Sequence, residues 1–316
     1  MLILEDLSAE VPDTNSFHWN FKKFSSGNDK KVLMYGYNSS NNTKFHDQTN
    51  GYKKIYFNNW APCEFAQSKD HNNKISLDYD NKFNIIYSIC PYSSAWLNKL
   101  QSEREYRYIF YPFCETLIPA TNIKEYDVIY HGGIHCKHHV DCLKTMRNFN
   151  YRYCSMTNYI NPLTRFHLSY ATNTNLSFKD KINLVAASKV SVCYNFVDVK
   201  DSHREIIKKL PNYKHNEAFA YINDKQIMPQ FKTRFHEAAI SRTINLVMRD
   251  DWNVIEDFYS PGEDFIYFDD KDDLKNKINM IVNDWDNYQS IVENAYQKSL
   301  NYTTKKFIEK IERETK

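Results

Sequence analysis

Two cations and a carboxylate lie close together in the stretch "FKTRFHEAAISRTINLV" at positions 231–247. Lys232, Arg234 and Glu237 stand where the apolar periodicity predicts that a helix begins. Positive side chains in the first turn oppose the helix dipole unless an anion lies nearby. A diphosphate is a suitable anion, because arginine binds phosphate through two parallel hydrogen bonds and lysine acts as a point charge. We therefore expect an anion site here, and Glu237 could accept hydrogen bonds from ribose hydroxyls. The alternative is a surface ion pair between Arg234 and Glu237 worth roughly 0.2–0.5 kcal/mol.

A glycine turn provides a second candidate. The segment "DVIYHGG" (127–133) is typical of a strand that ends in two glycines. Glycine lets the backbone approach a phosphate or a sugar closely. His131, Gly132 and Gly133 are therefore predicted to bind the same ligand, and an ordinary tight turn is the alternative.

Acidic residues follow another apolar segment that is predicted to be a strand. Asp250, Asp251 and Glu256 come after it, so they should lie at its carboxyl end. Carboxylates placed there could bind sugar or base hydroxyls. For Asp250 or Asp251, capping of a helix is the alternative.

Three motifs suggest a metal, and for each we favour a simpler interpretation. In "HCKHHVDC" (135–142) the candidate ligands crowd into one predicted helix, whereas structural zinc sites use two separated pairs. "DYD" (78–80) fits a polar turn before the next strand. "DDKDD" (269–273) fits the acidic start of a helix and lacks the ligand spacing of a calcium loop.

Short apolar runs alternate with helical patterns along the whole chain, which indicates an α/β protein with buried parallel strands. Predicted strands in the first half are 31–37, 53–57, 83–89 and 106–112. Those in the second half are 127–133, 151–156, 190–196 and 264–270. We expect helices at 138–149, 202–210 and from 271 onward, a helix capped by Ser177, and irregular structure at 211–230. The polar, Asn-rich segment 39–51 is predicted to be a loop. The proline-containing segment 118–126 is the expected domain junction.

Composition narrows the class of protein. The chain has 316 residues, 42% of them hydrophobic, which suits two domains. Forty-one Lys plus Arg against 39 Asp plus Glu gives a net charge of +2, so bulk charge does not favour nucleic acid or another polyanion as partner. The seven cysteines are odd in number and scattered, which favours reduced thiols. An acidic N-terminus and the absence of an apolar run of about 18 residues predict a cytoplasmic protein with no membrane span.

The segment 232–278, which begins "KTRFHEAA" and contains "SPGEDFIYFDDKDD", carries a resemblance. It resembles the C-terminal part of GT-B fold glycosyltransferases, particularly the spore-maturation type, in the order Lys-x-Arg-x-x-Glu-Ala, apolar strand, acidic residues, Pro-Gly-Glu, strand and Asp-rich helix start. Two departures are the proline at 229, where many retaining relatives carry a first glutamate, and "AISRTIN", which lacks the usual Gly and Pro.

The resemblance implies two Rossmann-like domains that face a central cleft. The acceptor side would be 1–122, the nucleotide-sugar side 123–300, and the last helix, 301–316, would pack back on the first domain. It implies transfer of a sugar from a nucleotide-diphosphate sugar to a glycan or another acceptor, without a metal or other cofactor. Transfer to a nucleic-acid base and a noncatalytic nucleotide- or sugar-binding module are the alternatives.

A catalytic mechanism follows from this expectation. Lys232 and Arg234 would stabilise charge on the leaving diphosphate. An inverting enzyme also needs a general base on the acceptor side. Glu64 in "NNWAPCEFA" is the candidate, since Trp60 beside it could stack on a sugar, and His46 is the second choice.

Overall fold

A computed structural model of the chain describes residues 2–5, 30–35, 49–58, 83–89, 94, 98, 105–120, 123–134, 137–155, 162–198, 220–222, 225–229, 231–250 and 253–316. Some of the predicted features fall outside these residues. They are Glu64, His46, Trp60, Asp251, the motif at 78–80, the helix at 202–210 and most of the loop at 39–51.

The strands are numbered in chain order. They are β1 (Leu2–Glu5), β2 (Lys31–Tyr35), β3 (Lys53–Asn58), β4 (Ile85–Ser88), β5 (Glu105–Tyr108), β6 (Tyr126–His131), β7 (Tyr151–Ser155), β8 (Asn173–Thr174), β9 (Ser188–Cys193), β10 (Phe196–Asp198), β11 (Ala220–Ile222), β12 (Lys225–Pro229), β13 (Ile244–Met248) and β14 (Ile266–Phe268).

The helices are α1 (Lys137–Met146), α2 (Pro162–Tyr170), α3 (Phe178–Ala186), α4 (Arg234–Ile240), α5 (Lys271–Asn283), α6 (Gln289–Ser299) and α7 (Thr304–Glu314). Short 3₁₀ turns lie at Glu115–Leu117, Val254–Asp257, Trp285–Tyr288 and Leu300–Tyr302. The predicted cap of α3 is confirmed, because the Ser177 hydroxyl accepts a hydrogen bond from the Asp180 N–H.

Two parallel sheets form the core of the molecule. The N-terminal sheet has five strands in the order β1-β2-β3-β4-β5. The C-terminal sheet has six in the order β14-β13-β9-β6-β7-β8. When the six strands of this sheet are renumbered 1 to 6 in chain order, their order in space is 6-5-4-1-2-3, the doubly wound Rossmann order. The order reverses between β6 and β9. The predicted fold class, α/β with two Rossmann-like halves, is confirmed.

Within 211–230, the expectation of irregular structure was wrong for the described residues 220–222 and 225–229, which form strands. β11 and β12 pair antiparallel, with Ile222 opposite Lys225, and β12 also pairs with β10. Only Asn223 and Asp224 separate the two strands, and such a polar dipeptide between short apolar runs is a hairpin signal.

The last helix, α7, packs on the N-terminal sheet. Phe307, Ile308 and Ile311 are buried in one hydrophobic cluster with residues of β2, β3 and β4. At its end, Glu314 accepts a hydrogen bond from the Tyr87 hydroxyl, with 2.9 Å between the oxygens. After the C-terminal sheet is complete, the last helix therefore returns to pack on the N-terminal half of the chain. None of the helices in the described part of the chain is both long and apolar enough to cross a bilayer.

Candidate functional site

The candidate site lies at the carboxyl ends of β6 and β9, the neighbouring strands between which the sheet order reverses. Open α/β sheets bind ligands at such a position, since the loops that leave the two strands diverge and open a crevice. His131 is the last residue of β6 and Cys193 is the last of β9. The predicted glycine turn and the predicted cations come together here.

Arg234 lies directly against the glycine turn. Its Nη1 donates a hydrogen bond to the Tyr130 hydroxyl, 3.1 Å away. Gly132 has φ +151°, and a Cβ at that position would overlap with the Arg234 guanidinium. The absence of a side chain at Gly132 is therefore what lets the cation reach the end of β6.

Among the described residues no carboxylate forms an ion pair with Arg234, whose hydrogen-bond partner there is the neutral Tyr130 phenol, although the more distant charge of Glu237 still acts on it. The alternative of a surface ion pair between Arg234 and Glu237 is wrong, because Glu237 pairs with Lys181 instead. A half-buried guanidinium with a phenol for a partner is costly to desolvate, and an anionic ligand would offset that cost.

Lys232 precedes the helix rather than belonging to its first turn. Thr233 is the N-cap residue and α4 spans seven residues from Arg234. The backbone N–H of Lys232 donates to Asn195 Oδ1 at 3.1 Å, which ties this segment to the end of β9. The predicted anion site consequently depends on side-chain charge and only weakly on the dipole of so short a helix.

Glu237 is buried, which corrects the expectation of a carboxylate open to ribose. Its Oε2 accepts a hydrogen bond from Lys181 Nζ at 2.9 Å and lies 3.1 Å from His131 Nδ1. Burial alone would raise the pKa of Glu237, but Lys181 and His131 outweigh it and lower the pKa. Glu237 is therefore an ionised internal partner of Lys181, and the ion pair holds α4 against α3 and β6.

His131 is buried beneath the glycine turn. Burial lowers the pKa of His131, and Glu237 only partly opposes this, so the imidazole is neutral. Its Nε2 lies 3.0 Å from the Ser191 hydroxyl. The ring lies between Ser191 of β9 and Glu237 of α4, so His131 brings β6, β9 and α4 together. This placement suits a role in positioning the turn better than direct contact with a ligand.

Asp250 and Glu256 have internal partners as well. The Asp250 carboxylate accepts a long hydrogen bond, 3.4 Å, from the Val254 N–H, which fits the capping alternative for this residue. Glu256 lies on the following 3₁₀ turn, and its Oε1 accepts from the Tyr267 hydroxyl at 2.9 Å.

Four charged side chains that the sequence predicted for the site affect the pKa of Cys193, the last residue of β9. Burial raises the pKa of the Cys193 thiol to about 12, Arg234 and Lys232 oppose the rise, and Glu237 and Asp250 add to it. Four predicted side chains thus lie within electrostatic range of one buried atom.

The potential zinc ligands that are described pack as ordinary core residues. The His139 ring lies 4.0 Å from the Tyr194 ring between centroids, and Cys142 is a buried free thiol. Within the described ranges, no group of three or more His, Cys, Asp or Glu side chains is placed to hold a metal ion.

Sequence reasoning missed three members of the site. Tyr130 fits an ordinary core position of a strand, and Ser191 likewise. Lys181 fits the solvent face of an amphipathic helix. The adjacency of Tyr130 to the predicted turn is the one signal that pointed to any of them.

Comparisons with known proteins give a family resemblance for part of the chain. Residues 173–313 match a family model described as "Glycosyl transferase-like". The sequence has no significant match among curated proteins. The matched segment contains Lys181, Ser191, Lys232, Arg234 and Glu237.

Solved structures share the fold at low sequence identity. Sucrose-phosphate synthase from Thermosynechococcus elongatus matches with TM-score 0.59 and 11% identity over 90% of this chain and 73% of its own. HepE from Anabaena, in complex with UDP and glucose, matches with TM-score 0.57 and 12% identity over 90% of this chain and 77% of its own. TarM of S. aureus matches with TM-score 0.58 and 11% identity over 94% of this chain and 57% of its own. The chain therefore has the two-domain architecture of GT-B glycosyltransferases, and residues 173–313 are similar to the glycosyl transferase-like family.

Proposed function

We propose that the protein transfers a sugar from a nucleotide-diphosphate sugar to an acceptor, and that Arg234 binds the diphosphate. The observation that carries the proposal is the guanidinium set against the side-chain-free Gly132 at the reversal point of the sheet. The match of residues 173–313 to a glycosyl transferase-like family supports the reaction class. HepE, whose structure contains UDP and glucose, makes UDP-sugars the first donors to test.

In the proposed reaction an acceptor oxygen bonds to the anomeric carbon of the sugar and gives its proton to the general base. The bond between that carbon and the diphosphate oxygen breaks, and negative charge develops on the leaving oxygen. Arg234 stabilises that charge through paired N–H donors, and Lys232 adds a second cation. The turn at Gly132 and Gly133 brings backbone close to the ligand. Asp250 and Glu256 stay candidates for the sugar or base, and Glu64 for the general base on the acceptor side.

Finer features of the protein belong to the same proposal. We place it near the spore-maturation type because the order of motifs over 232–278 agrees with that group. Arg234 and Lys232 supply positive charge for a diphosphate, which supports a metal-independent reaction without a cofactor, and full activity in excess EDTA would test it. The four cysteines in the described part of the chain are buried free thiols, which supports a reducing compartment such as the cytoplasm. A glycan is the favoured acceptor, and a nucleic-acid base is the alternative.

Donor hydrolysis and transfer by purified protein test the proposal. UDP-, GDP-, ADP- and dTDP-sugars would be incubated with wild type and with Arg234→Ala, and released nucleotide measured. We expect release by the wild type, and in the variant a decrease in catalytic efficiency, kcat/KM, by a factor of about 100 or more, equivalent to about 2.7 kcal/mol or above. Nucleotide binding without turnover would instead indicate a noncatalytic module. Equal turnover by Arg234→Ala would refute the assignment of the diphosphate site.

A further inference from the structure

We infer that Tyr130 is a positioning residue of the donor site. Its hydroxyl holds the Arg234 guanidinium and the glycine turn in a fixed position relative to each other. The inference rests on the proposed function and assigns a role to a residue that no motif singles out. Tyr130 is the next-to-last residue of β6, directly before His131. The inference concerns its hydroxyl group.

The Tyr130 hydroxyl makes two hydrogen bonds of opposite sense. It accepts from Arg234 Nη1 at 3.1 Å and donates to the Gly133 carbonyl at 2.7 Å. A phenol has one proton to donate, so the bond to Gly133 fixes that proton and turns a lone pair toward Arg234. The hydroxyl therefore defines where the guanidinium lies relative to the turn.

The tyrosine ring is rigidly held. Tyr130 is fully buried, and its ring packs against Tyr153 and Tyr194 with centroid separations of 5.7 and 6.2 Å. The Arg234 guanidinium carbon lies 5.5 Å from the Tyr130 ring centroid. Because ring and hydroxyl are both fixed, Arg234 is oriented before a ligand arrives, and such preorganisation lowers the entropy cost of binding.

A binding measurement on Tyr130→Phe tests the inference, since that change keeps the ring and removes only the hydroxyl. Calorimetric Kd values would be determined for UDP, GDP, ADP and dTDP, for their nucleosides, and for inorganic pyrophosphate. We expect the Kd of the preferred diphosphate and of pyrophosphate to rise about tenfold, ~1.4 kcal/mol, while the nucleoside Kd is unchanged. Tyr87→Phe is the matched control, because the fully buried Tyr87 hydroxyl of the N-terminal sheet likewise accepts a hydrogen bond from an arginine, Arg107, and donates one, to Glu314. That variant should bind like the wild type.

A double-mutant cycle shows whether Tyr130 acts through Arg234. In the Arg234→Ala background, removing the hydroxyl should change the diphosphate Kd by less than about twofold, since the group it orients is gone. Equal diphosphate binding by wild type and Tyr130→Phe, a parallel loss for the nucleoside, or full additivity in the cycle would each overturn the inference while the proposed function stands. A wild type that binds no diphosphate would refute the proposed function and this inference together.

Discussion

At the scale of single residues, the site depends on the missing side chain of Gly132 as much as on the charge of Arg234. Gly132 has no side chain where the Arg234 guanidinium lies, and its φ of +151° is one that other residues rarely adopt. The sequence predicted the glycines and the cation as separate candidates. It could not predict their contact, since 102 positions, 234 minus 132, separate them in the chain.

Replacement of Gly132 by alanine should therefore displace Arg234. We expect the diphosphate Kd to rise about tenfold or more, because the new methyl group and the guanidinium cannot occupy the same space. Gly262 is the matched control, since it also has positive φ, +79°, but no atom lies within 4 Å of the place that a methyl group would take. Gly262→Ala also places a side chain on a backbone with positive φ but meets no neighbouring atom, so it should retain diphosphate binding. Unchanged binding by Gly132→Ala would contradict the observed contact.

At the scale of elements, helix α4 is buried on nearly every side. The sequence predicted that Glu237 could reach a ribose, but Glu237 is only 4% exposed, and Ser241, the C-cap residue of α4, is 2% exposed. His236, next to Glu237 in the sequence, is buried as well, and its Nδ1 lies 2.8 Å from the Tyr259 hydroxyl. Periodicity identified the helix correctly. It could not show that Lys181 of α3 would neutralise Glu237, because that pairing depends on how two helices pack.

The burial of His236 predicts a pH-dependent stability. Burial lowers the pKa of His236 to about 3, and Glu237 only partly opposes the shift. The unfolded chain binds a proton near pH 6.5, so the folded state loses stability as pH falls from about 6.5 toward 3, by up to ~1.4 kcal/mol per pH unit.

Chemical denaturation of His236→Phe across that range measures this contribution. The variant should be less stable at neutral pH, since the Tyr259 hydroxyl loses its partner, but its stability should fall less steeply with acid. Tyr259→Phe removes the same hydrogen bond and keeps the imidazole, so it should retain the steep wild-type slope. Parallel pH profiles for wild type and His236→Phe would show that His236 does not titrate in this way.

At the scale of the whole molecule, the two sheets are joined by the returning helix α7. Phe307 is fully buried, and its ring meets Phe57 of the N-terminal sheet with centroids 4.8 Å apart. Strands β6, β7, β9 and β14 of the second half could be predicted, because apolar residues dominate them. The two-residue β8 and the hairpin of β11 and β12 lack so long an apolar run and were not predicted. The order of strands in space could not be predicted, since parallel pairing is non-local and any of several crossovers satisfies the same pattern.

Replacement of Phe307 by a smaller residue should destabilise the N-terminal sheet, although Phe307 itself lies in the C-terminal helix α7. Phe307→Ala is expected to cost about 3–5 kcal/mol of unfolding free energy, the usual range for a buried phenylalanine. Hydrogen exchange should accelerate in β3 and β4 more than in β6 and β9. Lys306→Ala, an exposed change on the same helix, should cost about 0.5 kcal/mol or less. Equal stability of the two variants would show that α7 does not support the N-terminal sheet in solution.

The central claim is that Arg234 at the end of β6 binds the diphosphate of a nucleotide sugar. Isothermal titration of wild type and Arg234→Ala with UDP, GDP, ADP and dTDP tests it most directly, with the corresponding nucleosides alongside. The account predicts that the preferred diphosphate binds the variant about 100-fold more weakly or worse, equivalent to about 2.7 kcal/mol, and that the nucleoside binds both proteins equally. Equal diphosphate affinity for the two proteins would contradict it.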